Sequence, residues 1–141
     1  MEERSICCKP WLAPVTLRGS ENFSLTGFRD LPELALCATR DLDTLERQVS
    51  FKLDRAKLGQ LNWRKDVKRF VSIVDPVFEI RWDVRLGGVE RKLRLAMVEE
   101  STDRSSTLLG WFCKAPEIDS NLTRESQNVV FRQLIKDWRK Q

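Results

Sequence analysis

The chain lacks histidine and tyrosine altogether, and none of its four cysteines belongs to a Cys-x-x-Cys pair. The cysteines are Cys7, Cys8, Cys37 and Cys113. A zinc site would have to gather all four thiolates from scattered positions, so we expect neither a metal centre nor a cofactor. Cys113 lies beside Trp111 and Phe112 in a predicted strand, which favours a small buried apolar side chain.

Long hydrophobic runs are missing as well. No segment approaches the roughly 20 consecutive apolar residues that a membrane-spanning helix needs. Glu2 and Glu3 precede only a short apolar patch, which is not the pattern of a signal peptide. We therefore expect a cytoplasmic protein whose thiols stay reduced.

The positive charge is concentrated in one segment. The 141 residues have the length and composition of a single globular domain, with a net charge of +4. Residues 55–94 carry 11 Lys and Arg against 5 Asp and Glu, which makes +6. Residues 1–54 sum to −2 and residues 95–141 to zero. Such a distribution favours a local anionic partner over diffuse electrostatic attraction.

Three consecutive strands are predicted from alternating apolar and polar residues. They are VFEIRWDVR (Val77–Arg85), ERKLRLAMVEE (Glu90–Glu100) and TLLGWFCK (Thr107–Lys114). Period-two alternation sends one set of side chains to a core and the other to a shared open surface. That surface would hold Arg81, Arg85, Lys92, Arg94 and Lys114. Arginine matches phosphate oxygens in a bidentate fork and lysine adds a point charge, so a polyanion, most simply RNA, is suggested.

Helices are predicted on both sides of these strands. They cover Asp41–Lys57, Asn62–Val74 and Leu122–Arg139. The first has the clearest apolar stripe, formed by Leu42, Leu45, Val49, Leu53 and Ala56. Gly59 is expected to end this helix, and Gly87-Gly88 to form a tight turn between the first two strands.

The order of elements predicts an α+β fold. Two N-terminal helices would precede a small antiparallel sheet of three to four strands, and a C-terminal helix would follow it. Residues 1–27 contain prolines and glycines without a sustained period, so we expect an N-terminal extension there. The domain itself would comprise residues 28–141.

The predicted strands and last helix also carry a family resemblance. Its landmarks are FEIRW (Phe78–Trp82), RKLRL (Arg91–Leu95), LLGWFCK (Leu108–Lys114) and the closing amphipathic helix. Over roughly residues 31–141 the chain resembles the RelE/ParE toxin superfamily, nearest to its HigB-like, phage-derived branch. That branch typically shows an E-L-R strand, a Y-R strand and an L-L-h-x-F-x-K-K strand, h being apolar, behind two helices. The resemblance implies a RelE-like architecture and the toxin of a type II toxin–antitoxin system.

The resemblance further implies a metal-free endoribonuclease that cuts mRNA, often on the ribosome. The ribose 2′-OH attacks the adjacent phosphate, which needs a base, an acid and cations around the phosphorane. Carried over position by position, the site residues are Glu79, Arg81, Arg94 and Lys114, with Lys92 as a further catalytic candidate. RNA contacts are expected from Arg85, Arg91, Lys65 and Lys68. The implied protein partner is a small antitoxin that covers the basic face or displaces the last helix.

Departures from the family pattern keep other functions open. Many family members use His or Tyr in the site, and this chain has neither. Leu93 replaces the usual aromatic residue before Arg94, and Ala115 stands where a second lysine is expected. A base would then have to be Lys92 or Glu79, so RNA binding is better supported than cleavage. The alternatives are a ParE-type topoisomerase inhibitor and a non-catalytic nucleic-acid or protein interaction module of phage origin.

Several of these residues also have a purely structural interpretation. Arg81 and Arg94 could pair with Glu79 and Asp83 across the sheet. Trp82 and Trp111 are predicted to pack in the core, and stacking on an unpaired base is the lesser alternative. The cations of the second predicted helix would form a solvated face or extend the anion-binding groove.

Overall fold

The computed structural model describes residues 16–21, 23–62, 65–69, 77–100, 105–114 and 120–139. In these ranges the strands are β1 (Thr16–Gly19), β2 (Val67–Arg69), β3 (Val77–Leu86), β4 (Val89–Glu100) and β5 (Ser105–Lys114). The α-helices are α1 (Thr39–Lys57) and α2 (Ser120–Arg139), and short 3-10 turns cover Gly27–Asp30 and Pro32–Leu34.

The sheet is mixed, with the strand order β1-β5-β4-β3-β2. Strands β3, β4 and β5 form the expected antiparallel meander, and β2 pairs antiparallel with β3. Strand β1 pairs parallel with β5, from Thr16 opposite Ser105 to Gly19 opposite Leu108. The predicted antiparallel sheet of three to four strands is therefore wrong. A strand of four residues is too short to show a period, so β1 could not be distinguished from irregular structure.

The second predicted helix is also wrong, because Val67–Arg69 is a strand. The backbone N–H of Asp66 donates to the carbonyl of Asn62, and the N–H of Asn62 donates to the Asp66 carboxylate, both at 2.9 Å. This turn directs Val67 to its place opposite Ile80 in the sheet. Pairing with a neighbouring strand outweighs a local pattern that fits either structure. The rest of the predicted helix lies outside the described residues.

Other sequence predictions are confirmed. Helix α1 buries the whole predicted stripe against the sheet. Gly59 follows the end of α1 with φ 72°, and Gly87 and Gly88 turn the β3–β4 hairpin with φ 59° and 80°. Helix α2 matches the last predicted helix within two residues. Neither described helix is both long and apolar enough to cross a membrane.

One face of the sheet, here called the α1 face, packs against α1 and the 3-10 turns. Trp82 and Trp111 are buried there with ring centroids 5.7 Å apart, and Phe28 meets the edge of Trp111 at 5.2 Å. The Trp111 indole donates to the Ser24 carbonyl at 3.0 Å, which ties the N-terminal segment to the sheet. Core packing of both tryptophans is thus confirmed, as is the burial of Cys113.

Helix α2 packs on the opposite face, here called the α2 face. It covers an apolar group made of Val77, Ala96, Val98, Leu109 and Phe112. A bulge opposite Ala96 and Met97 adds Leu109 to this group. A Cβ added at Gly110 would lie 2.8 Å from Leu134, so glycine at this position lets the helix approach the sheet closely.

A buried carboxylate joins α1, β2 and β3 at the edge of the sheet. Asp66 lies 3.1 Å from the Lys52 ammonium, which also donates to the carbonyl of Arg81. The N–H of Arg81 donates to the carbonyl of Asp66 at 2.8 Å. Burial alone would raise the pKa of Asp66, but the N–H of Asn62 and the Lys52 charge outweigh it and lower the pKa.

Replacing Asp66 with Asn should lower the free energy of unfolding by about 3 kcal/mol, because Lys52 would stay largely buried without a counter-charge. The carboxylate contribution is fully present above the ordinary pKa of 3.8 and is lost as the pH falls towards the lowered value. Urea unfolding of wild type and variant should therefore converge in acid. Asp54→Asn, at an exposed pair with Lys57, is the control and should change little.

Candidate nucleic-acid interface

The α2 face has a charged half beside its apolar half. Here we call this half the charged field, and it consists of Glu79, Arg81, Asp83, Lys92, Arg94 and Lys114. Its side chains stand in cross-strand rows fixed by the register. Arg81, Arg94 and Phe112 form one row, and Asp83, Lys92 and Lys114 form the next. The predicted grouping of Arg81, Lys92, Arg94 and Lys114 on one face therefore agrees with the strand pairing.

Two directly opposed pairs in the charged field have the same sign. Arg81 faces Arg94, and Lys92 faces Lys114. Like charges directly opposite one another destabilise a sheet, and Cβ atoms in such pairs lie about 5 Å apart. Four cations and two carboxylates leave the field at +2. The arrangement is therefore electrostatically suited to an anion.

Arg94 lies at the bottom of the field with 0% of its surface exposed. Its Nη1 donates to Asp83 Oδ1 and the Leu93 carbonyl at 3.0 Å, and to the Trp82 carbonyl at 3.3 Å. Its Nε lies 3.8 Å from Glu79 Oε1. Within the described part of the chain, Nε and Nη2 have no hydrogen-bond partner. The expectation of a wholly open surface is thus wrong at Arg94.

Arg81, Lys92 and Lys114 surround Arg94 and are only partly buried. The Arg81 side chain is 25% exposed, and its Nε lies 3.6 Å from Glu79 Oε1. Burial lowers the pKa of Lys114, and the positive charges of Arg94, Arg81 and Lys92 lower it further against the opposing effect of Glu79. These three side chains are the cations that a phosphate could reach.

The residues predicted to contact RNA are divided between the two faces. Lys68 is exposed on β2 opposite Glu79, so it extends the charged field to the neighbouring strand. Arg85 is exposed on the same face one row beyond Asp83, and Lys65 is exposed in the turn before β2. Arg91 does not join them. It lies on the α1 face and donates to the carbonyls of Glu33 and Glu90 at 3.2 and 3.1 Å.

Sequence reasoning did not identify Asp83 as a site residue, although among the described residues it is the carboxylate nearest to Arg94. The alternating pattern could have identified it, because Asp83 has the same parity as Glu79 and Arg81 and so lies on the same face of the strand. In the described ranges, no group of three or more Cys, Asp or Glu side chains is arranged to hold a metal ion. Comparisons with protein-family models, curated proteins and solved structures each returned no match. The family resemblance therefore stays a prediction.

Replacing Arg94 with Met should reduce the free energy of unfolding by about 3–5 kcal/mol, because the buried Glu79 carboxylate would lose a counter-charge. Lys68→Met, on the same face but exposed, is the control and should change stability by no more than about 0.5 kcal/mol. Adding Glu79→Gln to Arg94→Met should recover part of the loss. Equally small effects at Arg94 and Lys68 in urea unfolding would show that the ion group does not stabilise the fold.

Proposed function

We propose that this protein binds the phosphate backbone of single-stranded RNA on its charged field and cleaves it as a toxin-type endoribonuclease. The observation that supports this most directly is the pair of like-charged cross-strand contacts, Arg81 with Arg94 and Lys92 with Lys114. A phosphate bound to Arg81, Lys92 and Lys114 would offset the repulsion within these pairs. The cytoplasmic toxin assignment, and the antitoxin that would cover this field, follow from the resemblance to the RelE/ParE superfamily.

The position of the cations suits an extended polyanion. Lys68 lies one strand beyond Glu79, and Arg85 lies one row beyond Asp83, so positive side chains continue past the centre of the field. Successive rows on one face of a strand are about 6.8 Å apart. A groove of cations that follows a backbone is the common way to bind a single strand without reading its sequence.

The cleavage step needs groups that the field holds close together. We assign the base to the neutral amine of Lys114, since burial and neighbouring cations lower its pKa. The amine would take the proton of the ribose 2′-OH as that oxygen bonds to phosphorus. Lys92, directly opposite, would protonate the leaving 5′-oxygen. Arg81 and the buried Arg94 would stabilise the charge of the phosphorane, leaving a 2′,3′-cyclic phosphate and a 5′-OH.

Replacing Arg81 or Lys114 with Ala should weaken binding of a labelled single-stranded RNA by about tenfold, because each change removes a cation that neutralises a phosphate. For each phosphate that is no longer neutralised, the slope of log affinity against log salt concentration should flatten by about 0.7. Lys57→Ala, an exposed cation on α1 outside the charged field, is the control. Unchanged affinity and slope in folded Arg81 and Lys114 variants would rule out this binding site.

Lys114→Arg should separate binding from cleavage. Arginine keeps the positive charge but cannot serve as a base, so RNA should still bind while cleavage is abolished. Wild-type cleavage should rise as the pH rises through the lowered pKa of Lys114, since the neutral amine is the active form. Product ends are read by mass spectrometry, with a substrate carrying a 2′-deoxy sugar at the cut as the uncleavable control.

The same proposal can be tested in cells by inducing expression of the protein and mapping the ends of the mRNAs. New mRNA ends that disappear in Lys114→Arg would support the endoribonuclease. Growth arrest with intact mRNA would instead favour the topoisomerase inhibitor. RNA binding without arrest or cleavage would leave a non-catalytic RNA-binding module.

A further inference from the structure

We propose that the outer edge of β3 pairs with the same edge of a second copy of this chain. The two sheets would join across a twofold axis into one continuous sheet. This inference rests on the geometry of the β3 edge and is independent of the proposed RNA activity.

Among the described residues, no strand covers the outer edge of β3 along its second half. Strand β2 pairs only with Phe78, Glu79 and Ile80. The N–H and carbonyl of Arg81 point away from β4, because they bond to Asp66 and Lys52. In an antiparallel ladder, alternate residues point the same way, so the backbone groups of Asp83 and Arg85 also point outward. On the side away from β4, no strand of the described residues pairs with β3 beyond Ile80.

The edge is complementary to itself in one register. Antiparallel pairing centred on Val84 places Asp83 opposite Arg85 of the partner subunit, and Arg85 opposite Asp83 of the partner subunit. The backbone N–H and carbonyl groups of Asp83 and Arg85 point outward. Each of the two pairs therefore exchanges two backbone hydrogen bonds, which gives four across the interface. The opposed side chains have opposite charge on one face, which is the favourable arrangement for cross-strand pairs.

The ends of the strand fit the same register. Trp82 would lie opposite Leu86 of the partner subunit. The pairing would end there, because Asp66 occupies the position opposite Arg81 and the Gly87-Gly88 turn of the partner subunit leads its chain away. These glycines have no side chains, and a Cβ added at either would meet nothing within 4 Å. In the single chain the space around this turn is therefore open. The open edge and the partner strand thus have matching lengths.

An apolar surface flanks the open edge on the α1 side. A cavity of about 430 Å³ lies between α1 and β3, lined by residues that include Gln48, Phe51, Trp82 and Val84. Phe51 is 66% exposed there, an unusual position for a phenylalanine. In the paired sheet, Val84 and Leu86 of the partner subunit would project on this side. Burial of Phe51 against them would add apolar contact to the backbone hydrogen bonds.

Charge complementarity favours a second copy over an unrelated peptide. The row that starts with Lys114, Lys92 and Asp83 would continue into Arg85 and Glu90 of the partner subunit. From Lys92 to Glu90 of the partner subunit, positive and negative side chains alternate along this row. Charged residues on an edge strand commonly prevent edge-to-edge association, but here the same residues match in the symmetric register.

The first test is sedimentation velocity of the full chain over a concentration series. Wild type should dimerise, and Arg85→Asp should weaken the dimer by about tenfold or more because Asp83 would face Asp in both pairs. Asp83→Arg should do the same by opposing two arginines; circular dichroism must first show that this variant folds, because Asp83 also neutralises the buried Arg94. Mixing the two single variants should restore a dimer, because every opposed pair is then of opposite sign. A monomeric wild type at all concentrations, or a mixture that stays monomeric, would overturn the inference.

A cross-link tests the register without relying on charge. Val84 would face its own copy as a pair without backbone hydrogen bonds, with Cα atoms about 4.5 Å apart, inside the range of disulfides. Val84→Cys should cross-link rapidly on mild oxidation, and mass spectrometry should find the two peptides joined through position 84. Arg85→Cys is the matched control, since it would lie diagonally from its copy and should not link. A dimer joined through other cysteines only would contradict this register.

Discussion

The guanidinium of Arg94, buried in the face of the sheet, determines which side chains can surround it and where α2 can pack. Arg94 has no exposed surface, and a charge removed from water is tolerated only when counter-charges and hydrogen bonds surround it. Asp83 and Glu79 supply the negative charges, and the carbonyls of Leu93 and Trp82 accept two further hydrogen bonds. The middle of the α2 face must therefore be polar on both β3 and β4.

This requirement explains where α2 packs. The helix buries its apolar side chains against Val77 and Val98, which face each other in a row without charge, and against Ala96, which lies opposite Glu79. Phe112 lies in the same row as Arg94 and belongs to the apolar group, so it marks the boundary between the two halves. The charged field lies on the same face of the sheet, beside the apolar group that α2 contacts. Its cations are held in place by the register, which keeps them close despite their repulsion.

The alternation of residues in β3, β4 and β5 was sufficient to predict which charged side chains share a face, because the period of a strand is two. The same alternation also assigns Arg91 to the α1 face, because Arg91 has the same parity as Leu93. It could not predict the burial of Arg94, because that depends on the docking of distant elements. The errors at β1 and β2 have a similar cause: both are strands of three or four residues, fixed by pairing with a neighbour.

Strand β3 connects the charged field with the open edge. Its residues of one parity point their side chains into the field, and the backbone groups of the same residues point outward along the edge. Asp83 therefore has two roles: its carboxylate holds Arg94, and its backbone would pair with a second copy. The Asp83 side chain is 55% exposed, so it can accept Arg85 of the partner subunit while it stays near Arg94. In the proposed dimer the charge of this carboxylate would be shared between Arg94 and Arg85 of the partner subunit, so the field would be less fully neutralised. Association and anion binding would then favour each other through a single residue.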